Sequence, residues 1–234
     1  MAEKKLFGTY FVKKFIVEIK HKPNLLHNEK VPQVLNDMMG DFNKVNLIEG
    51  SNKIFQLINN NDYFLINSDW TKIFTIYENV EDFESVCQKA KKNVVNYLTK
   101  LKLSEITRLG FRTIFLLPFN GAFDELVDYF NNTFYNNLSF YESFGTIEDV
   151  GIVALTIKDS QFRGNLSFGP MIKNEVKNKL SEFKKYDKDF DTSLYIDLDL
   201  YNDASPIPTI NAFIDNAYNA SRIKIIKFRE LLNS

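Results

Sequence analysis

The stretch Ile106-Thr107-Arg108-Leu109-Gly110-Phe111-Arg112-Thr113-Ile114-Phe115-Leu116-Leu117 lies near the middle of the 234-residue chain and predicts a long, well-buried strand. Side chains alternate between the two faces of an extended chain, so Phe111, Thr113, Phe115 and Leu117 fall on one face. The other face begins with Arg108 and Arg112 and ends apolar. Gly110 indicates a bulge or a close backbone approach, and Pro118 ends the strand because it lacks an amide donor.

The segments on either side of this strand repeat one order of elements: a strand, a helix, several strands and a long helix. Residues 1–103 are predicted to be β-α-β-β-β-α, and residues 104–234 to be β-α-β-β-β-β-α. We therefore expect an α+β fold in which two pseudo-repeated units form one continuous compact body. Its sheet would be curved and mainly antiparallel, with helices on one side. This topology resembles the duplicated saddle of TATA-binding proteins, although no residue motif supports a shared function.

Hydrophobic periodicity and turn residues set the predicted boundaries. The first unit contains strand 10–20, helix 31–45 with Pro32 in its first turn, strands 53–59, 62–67 and 72–78, and helix 80–101. The second contains the central strand, helix 122–134, strands 139–147, 151–158, 162–168 and 193–201, and a last helix opened by Pro206 and Pro208 and ending near Leu232. The charged stretch 173–191 predicts a short helix followed by a loop.

Composition restricts the class of protein. Twenty-two phenylalanines against one tryptophan predict a core filled by phenylalanine, and 29 basic against 30 acidic residues leave a formal net charge of −1. That balance argues against a protein whose main role is binding duplex DNA. One cysteine excludes an internal disulfide, and neither a signal-peptide core nor an apolar run of membrane-span length is present. We expect a soluble, cytoplasmic protein with no membrane partner.

The sequence offers little for catalysis. It contains no glycine-rich phosphate loop, nucleophile elbow or zinc-protease motif. His21 and His27 flank a predicted polar loop and are expected to be solvated, since a metal site needs further ligands. Cys87 falls on the apolar stripe of a predicted helix, which indicates a buried small hydrophobe rather than a nucleophile. We therefore expect no catalytic residue, no metal site and no cofactor.

Five residues are candidates for a binding site. Asp197 and Asp199 lie on one face of a predicted strand whose intervening residues are apolar. Paired acids can hold Mg²⁺ or share a proton, whereas the structural interpretation pairs them with Arg108 and Arg112 on a neighbouring strand. Trp70, at a predicted turn, is either a binding anchor or packs back over the edge of the sheet.

Two segments are similar to an uncharacterised, sporadically distributed bacterial protein family. Residues 106–112 resemble the family's Arg-x-Gly-x-Arg strand, and residues 195–200 with the last helix resemble its Asp-x-Asp strand and closing helix. The family has no established activity. Its sporadic distribution implies mobile-element or phage-defence gene neighbourhoods, and hence an accessory subunit rather than a metabolic enzyme.

These observations favour a non-catalytic binding or adaptor protein that acts as a subunit of a protein complex or a homo-oligomer. The alternative is a nucleic-acid-binding protein that uses the open face of the sheet, where the first unit would contribute Lys13, Lys14, Lys20, Lys53 and Lys72. A weaker alternative is a Mg²⁺-dependent phosphoesterase that uses Asp197 and Asp199.

Overall fold

The structure is a computed structural model that describes residues 6–22, 26–48, 54–60, 62–67, 71–103, 105–135, 151–180, 190–203 and 209–234. Its strands are β1 (Phe11–His21), β2 (Lys44–Ile48), β3 (Ile54–Asn59), β4 (Asp62–Asn67), β5 (Lys72–Val80), β6 (Ile106–Pro118), β7 (Val153–Lys158), β8 (Arg163–Ile172) and β9 (Thr192–Asp203). Its long helices are α1 (Leu26–Met38), α2 (Phe83–Leu101), α3 (Phe123–Phe134) and α4 (Ile210–Leu232). A helical turn at Lys173–Glu175 continues as a π-helical turn at Val176–Leu180, and together they form the helical segment 173–180.

The described strands form one antiparallel sheet in the order β2-β3-β4-β5-β1-β6-β9-β8-β7. The predicted central strand is confirmed as β6, which pairs with β1 on one side and β9 on the other. In both halves of the chain, the first strand pairs with the last strand of its own half, β1 with β5 and β6 with β9. The internal duplication itself stays a prediction, because residues 139–147 lie outside the described ranges.

All four long helices pack on the same face of the sheet, which confirms the α+β class. Alternating residues of the strands meet them in one large core that contains side chains from both halves of the chain. Phe15 and Phe111 lie at the centre of this core, with their ring centroids 4.7 Å apart, and Phe83 of α2 packs against Tyr218 of α4 at 4.9 Å. The other face carries the helical segment 173–180, where Val176 packs in a smaller cluster.

The first helix differs from its prediction at both ends. It begins at Leu26 and ends at Met38, so Pro32 lies inside the helix rather than in its first turn. A proline there costs one intrahelical hydrogen bond, which the packing of the apolar stripe offsets. The rest of the predicted helix, residues 39–45, contains a 3-10 turn at Met39–Asp41 and the first two residues of β2, in which Val45 pairs with Leu57 of β3. Pairing with the next strand thus overrides the local helical spacing.

Two further predictions in this region are wrong. Gly110 lies in a regular ladder, and the irregular pairing of β1 with β6 falls at Val12/Lys14 and Lys20/His21 instead. His21 is buried rather than solvated, because β1 extends by one residue and places it opposite Ile106. A hydrogen bond joins its Nδ1 to the carbonyl oxygen of Lys22 at 2.9 Å.

The other described helices and strands begin and end close to their predicted boundaries. Helix α2 begins at Phe83, where the Asp82 carboxylate accepts a hydrogen bond from the Ser85 amide at 3.0 Å. The short helix predicted at the start of the charged stretch is confirmed as the helical segment 173–180. The predictions at Trp70, Lys53, Pro206 and Pro208, and at the loop 181–189, concern residues outside the described ranges.

Candidate functional site

A ladder of opposite charges joins β6 to β9 on the face away from the four long helices. The register places Arg112 opposite Asp199 and Ile114 opposite Asp197, and the ion pairs form along the diagonals. Arg108 Nη2 donates to Asp199 Oδ2 at 3.0 Å. Arg112 Nε and Nη2 donate to Asp197 Oδ1 and Oδ2 at 2.8 and 2.5 Å. The predicted pairing of these two arginines with the two aspartates is confirmed.

The Arg108 guanidinium connects three strands. Its Nε lies 4.0 Å from Glu18 Oε1 of β1, and its Cζ lies 4.2 Å from the ring centroid of Tyr201 on β9. Lys20 extends the network, with its Nζ 3.5 Å from Glu18 Oε1. A planar cation can bond a carboxylate at its edge while its face stacks on an aromatic ring, and Arg108 does both.

The electrostatics of the ladder follow from partial burial. Burial raises the pKa of Asp199 above the usual range of an aspartate, outweighing the lowering effect of Arg108 and Arg112. The hydrogen bonds to Asp197 raise the pKa of Arg112. Arg108, Arg112 and Lys20 are matched by Glu18, Asp197 and Asp199, so the ladder carries no net charge.

A cleft of about 390 Å³ opens beside this ladder. One wall is charged, and the opposite wall is apolar and comes from β1, β4 and β5: Ile16, Leu65, Phe74 and Ile76. Gly110 of β6 also lines the cleft, on the charged side between Arg108 and Arg112 and opposite Glu18 of β1. The cleft therefore offers one group an apolar contact and a charged contact at the same time.

The apolar wall was not predicted from the sequence. In β4, Phe64 and Ile66 enter the main core, whereas Tyr63 and Leu65 join a separate cluster on the opposite face. A strand that is apolar on both faces indicates that both faces are covered or bind something. That signal was present in residues 62–67, but it does not show which residues of other strands complete the wall.

Two of the lysines proposed for nucleic-acid binding are buried. Lys13 is fully buried and donates from Nζ to Asn79 Oδ1 at 2.9 Å. Lys14 lies 3.9 Å from the buried Glu78 carboxylate. The expectation that they present charge on an open face is wrong, because both side chains are buried on β1, the middle strand of the nine-stranded sheet that the structure describes. Lys20 and Lys72 are directly paired across β1 and β5.

Within the part of the chain that the structure describes, Cys87 and His21 are not among the residues that line the cleft. Cys87 is buried as predicted, and burial raises the pKa of its thiol to about 12. Among the described residues, no three His, Cys, Asp or Glu side chains lie close enough together to hold a metal ion. Trp70 belongs to the undescribed part of the chain. No helix in the described ranges combines the length and apolar character needed to cross a membrane.

Comparison with known proteins gives no assignment. No protein-family model matches the sequence, and no curated protein matches it.

Proposed function

We propose that this protein is a non-catalytic binding protein that accepts a segment of a protein partner in the cleft beside Gly110. The observation that carries the proposal is the pairing of an apolar wall with a charged wall across about 390 Å³. Protein surfaces that bind one another combine apolar anchors with complementary charges in this way. A partner segment with an apolar side chain next to a charged one would contact both walls.

The glycine in the lining of the cleft supports a role for the empty space. Glycine inside a strand destabilises it by roughly 0.5–1 kcal/mol relative to alanine. The backbone does not require it here, because Gly110 has no positive φ and an added Cβ would lie 3.5 Å from Glu18 Cβ, an ordinary contact. An alanine would therefore fit the sheet, and a longer side chain would extend from this position into the cleft that Gly110 lines.

The charge balance favours a protein partner over a nucleic acid. Binding to a phosphate backbone depends on a surplus of Lys and Arg. In the ladder, every described cation faces a carboxylate, and Lys13 and Lys14 are buried. The phosphoesterase alternative is also disfavoured, because both oxygens of Asp197 accept hydrogen bonds from Arg112 and a Mg²⁺ ion would have to displace that guanidinium.

A matched pair of glycine substitutions tests the proposal. Gly110→Leu fills the cleft, whereas Gly40→Leu adds the same side chain where nothing lies within 4 Å of the added Cβ. Each tagged variant is purified from the organism that carries the gene, and the recovered proteins are quantified by mass spectrometry. We expect one partner to be recovered with the wild type and with Gly40→Leu, and to be lost with Gly110→Leu although its Tm is no lower than that of the wild type.

Two outcomes would contradict this function. A monomeric wild type that recovers no protein, or a Gly110→Leu variant that keeps the partner, would show that the cleft is not the binding surface. Retardation of DNA or RNA by the wild type at low salt, lost as salt rises, would favour the nucleic-acid alternative instead.

The proposal also covers the location of the protein and its biological role. The lack of disulfides supports a cytoplasmic location, and the family resemblance supports an accessory role in a mobile-element or phage-defence system. Phage plating efficiency on cells with and without the gene would test that role, and Gly110→Leu should behave like the deletion.

A further inference from the structure

A second cavity lies on the opposite side of the sheet, beneath α4. It has a volume of about 240 Å³, and its walls are apolar side chains of the sheet and of the helix. Ile157 of β7 and Leu166 of β8 form one side, and Ile225 and Phe228 of α4 form the other. This cavity shares no lining residue with the cleft beside Gly110, so it is a separate feature of the molecule.

The helix leaves the apolar surface around this cavity incompletely covered. Val153, Leu155 and Ile157 of β7 alternate onto the face that α4 covers elsewhere, yet Leu155 is 49% exposed and Ile157 is only half-buried. Leu231, which lines the mouth, is 64% exposed. A ligand that entered here would remove apolar surface from water, which is favourable.

The mouth carries positive charge. Lys224 and Lys227 line it, one helical turn apart on α4. Lys224 Nζ donates to Asp159 Oδ2 at 2.9 Å, so its charge is balanced locally. Lys227 is exposed at the rim of the apolar space, where it can meet the anionic head of a ligand whose tail lies inside.

We propose that this cavity binds the hydrocarbon chain of a monocarboxylate amphiphile, such as a medium-chain fatty acid, with the carboxylate beside Lys227. The volume of the cavity is sufficient for one hydrocarbon chain, because a dry apolar cavity of roughly 150 Å³ binds benzene and this one is larger. The lining offers the tail no hydrogen-bond partner, so a polar ligand would lose its hydration without replacement.

Titration of the full-length protein with sodium octanoate tests the proposal by isothermal calorimetry. Leu231→Glu and Lys227→Glu place a negative charge at the mouth, and Ile223→Glu adds the same charge at an exposed position of α4 outside the lining. We expect octanoate to bind the wild type and Ile223→Glu equally. The other two variants should bind at least about tenfold more weakly, a change of roughly 1.4 kcal/mol.

Three results would overturn the inference. The first is an absence of octanoate binding to the wild type. The second is an equal loss of affinity in Ile223→Glu, which would indicate a general effect of charge on α4. The third is equal binding of octanol and octanoate, which would remove the role of Lys227. Because all three glutamates replace exposed side chains, thermal unfolding should show that each variant is folded.

Discussion

Arg112 and Asp197 form a two-point ion pair between partners of unequal exposure. The arginine side chain is 47% exposed, whereas the aspartate side chain is 14% exposed. The guanidinium thus keeps much of its hydration in the folded state, which limits the net gain from the pair. Removal of the Arg112 side chain nevertheless leaves the largely buried Asp197 carboxylate without its main hydrogen-bond donor.

A double-mutant cycle measures this contribution. We expect Arg112→Ala to lower the free energy of unfolding by about 1 kcal/mol, and Arg112→Ala with Asp197→Ala to cost less than the sum of the singles by ~0.5–1 kcal/mol. Urea unfolding provides the four free energies. The matched control is Arg163 with Asp203, an exposed pair at 3.8 Å, for which the coupling should be close to zero. Equal coupling in both pairs would show that the hydrogen-bond geometry is not the cause.

At the scale of elements, the turn between β7 and β8 is fixed to α4 through one carboxylate. Asp159 Oδ1 accepts hydrogen bonds from the amides of Gln161 and Phe162, both at 2.8 Å, and Oδ2 accepts from Lys224 at 2.9 Å. The Lys224 hydrogen bond is the largest cause that lowers the pKa of Asp159, to about 2. The carboxylate therefore ties a hairpin at the edge of the described sheet to the last helix.

This tie predicts a dependence of stability on pH. Because the folded-state pKa of Asp159 lies below the ordinary aspartate value of 3.8, its contribution is present above that pH and is lost as pH falls towards about 2. The stability advantage of the wild type over Asp159→Asn should thus shrink across this range and be constant near neutral pH. Urea titrations of both proteins at several pH values give the difference. A pH-independent difference would show that the charge of Asp159 is not involved.

Two strand glycines have opposite roles in the packing of the sheet. A Cβ at Gly110 would make an ordinary contact at 3.5 Å, whereas a Cβ at Gly164 would lie 2.8 Å from the Asp199 carbonyl oxygen and 3.1 Å from Ile157 Cγ1. Gly110→Ala should therefore raise the free energy of unfolding by about 0.5–1 kcal/mol, and Gly164→Ala should lower it. Thermal unfolding of both variants checks the two signs. A destabilised Gly110→Ala would mean that the fold, and not the cleft, requires that glycine.

At the scale of the whole molecule, β1 and β6 join the two halves of the chain into one sheet. Residues of β1, α2, β6 and α4 share one core, and Asn233 accepts a hydrogen bond from the Phe7 amide at 2.9 Å. Neither half can bury its side of this core alone. A single cooperative unfolding transition is therefore expected.

Coincident urea curves from far-ultraviolet and near-ultraviolet circular dichroism would verify this cooperativity, because the two signals report secondary structure and aromatic packing. Residues 1–103 expressed alone should not fold, since β1 would lose its pairing with β6. Two separated transitions, or a folded 1–103 fragment, would instead show that each half is an independent domain.

Local periodicity determined much of this protein. The alternation in β6 and β9 placed Arg108, Arg112, Asp197 and Asp199 on polar faces, and the helical spacing in α2 predicted the burial of Cys87. These features depend on residues a few positions apart, so the one-dimensional pattern contains them. The α+β class follows from the same patterns, because each element must bury its apolar face against another.

Only the tertiary structure decided which elements meet. The position of β6 between β1 and β9 and the diagonal choice of partners in the ladder depend on pairing between distant segments. The conversion of the end of a predicted helix into β2 depends on pairing with the next strand, β3. The burial of Lys13 and His21 has the same origin. The cleft and the cavity beneath α4 are bounded by side chains from several elements. No pattern within a single segment contains such spaces, because their shape depends on how those elements pack together.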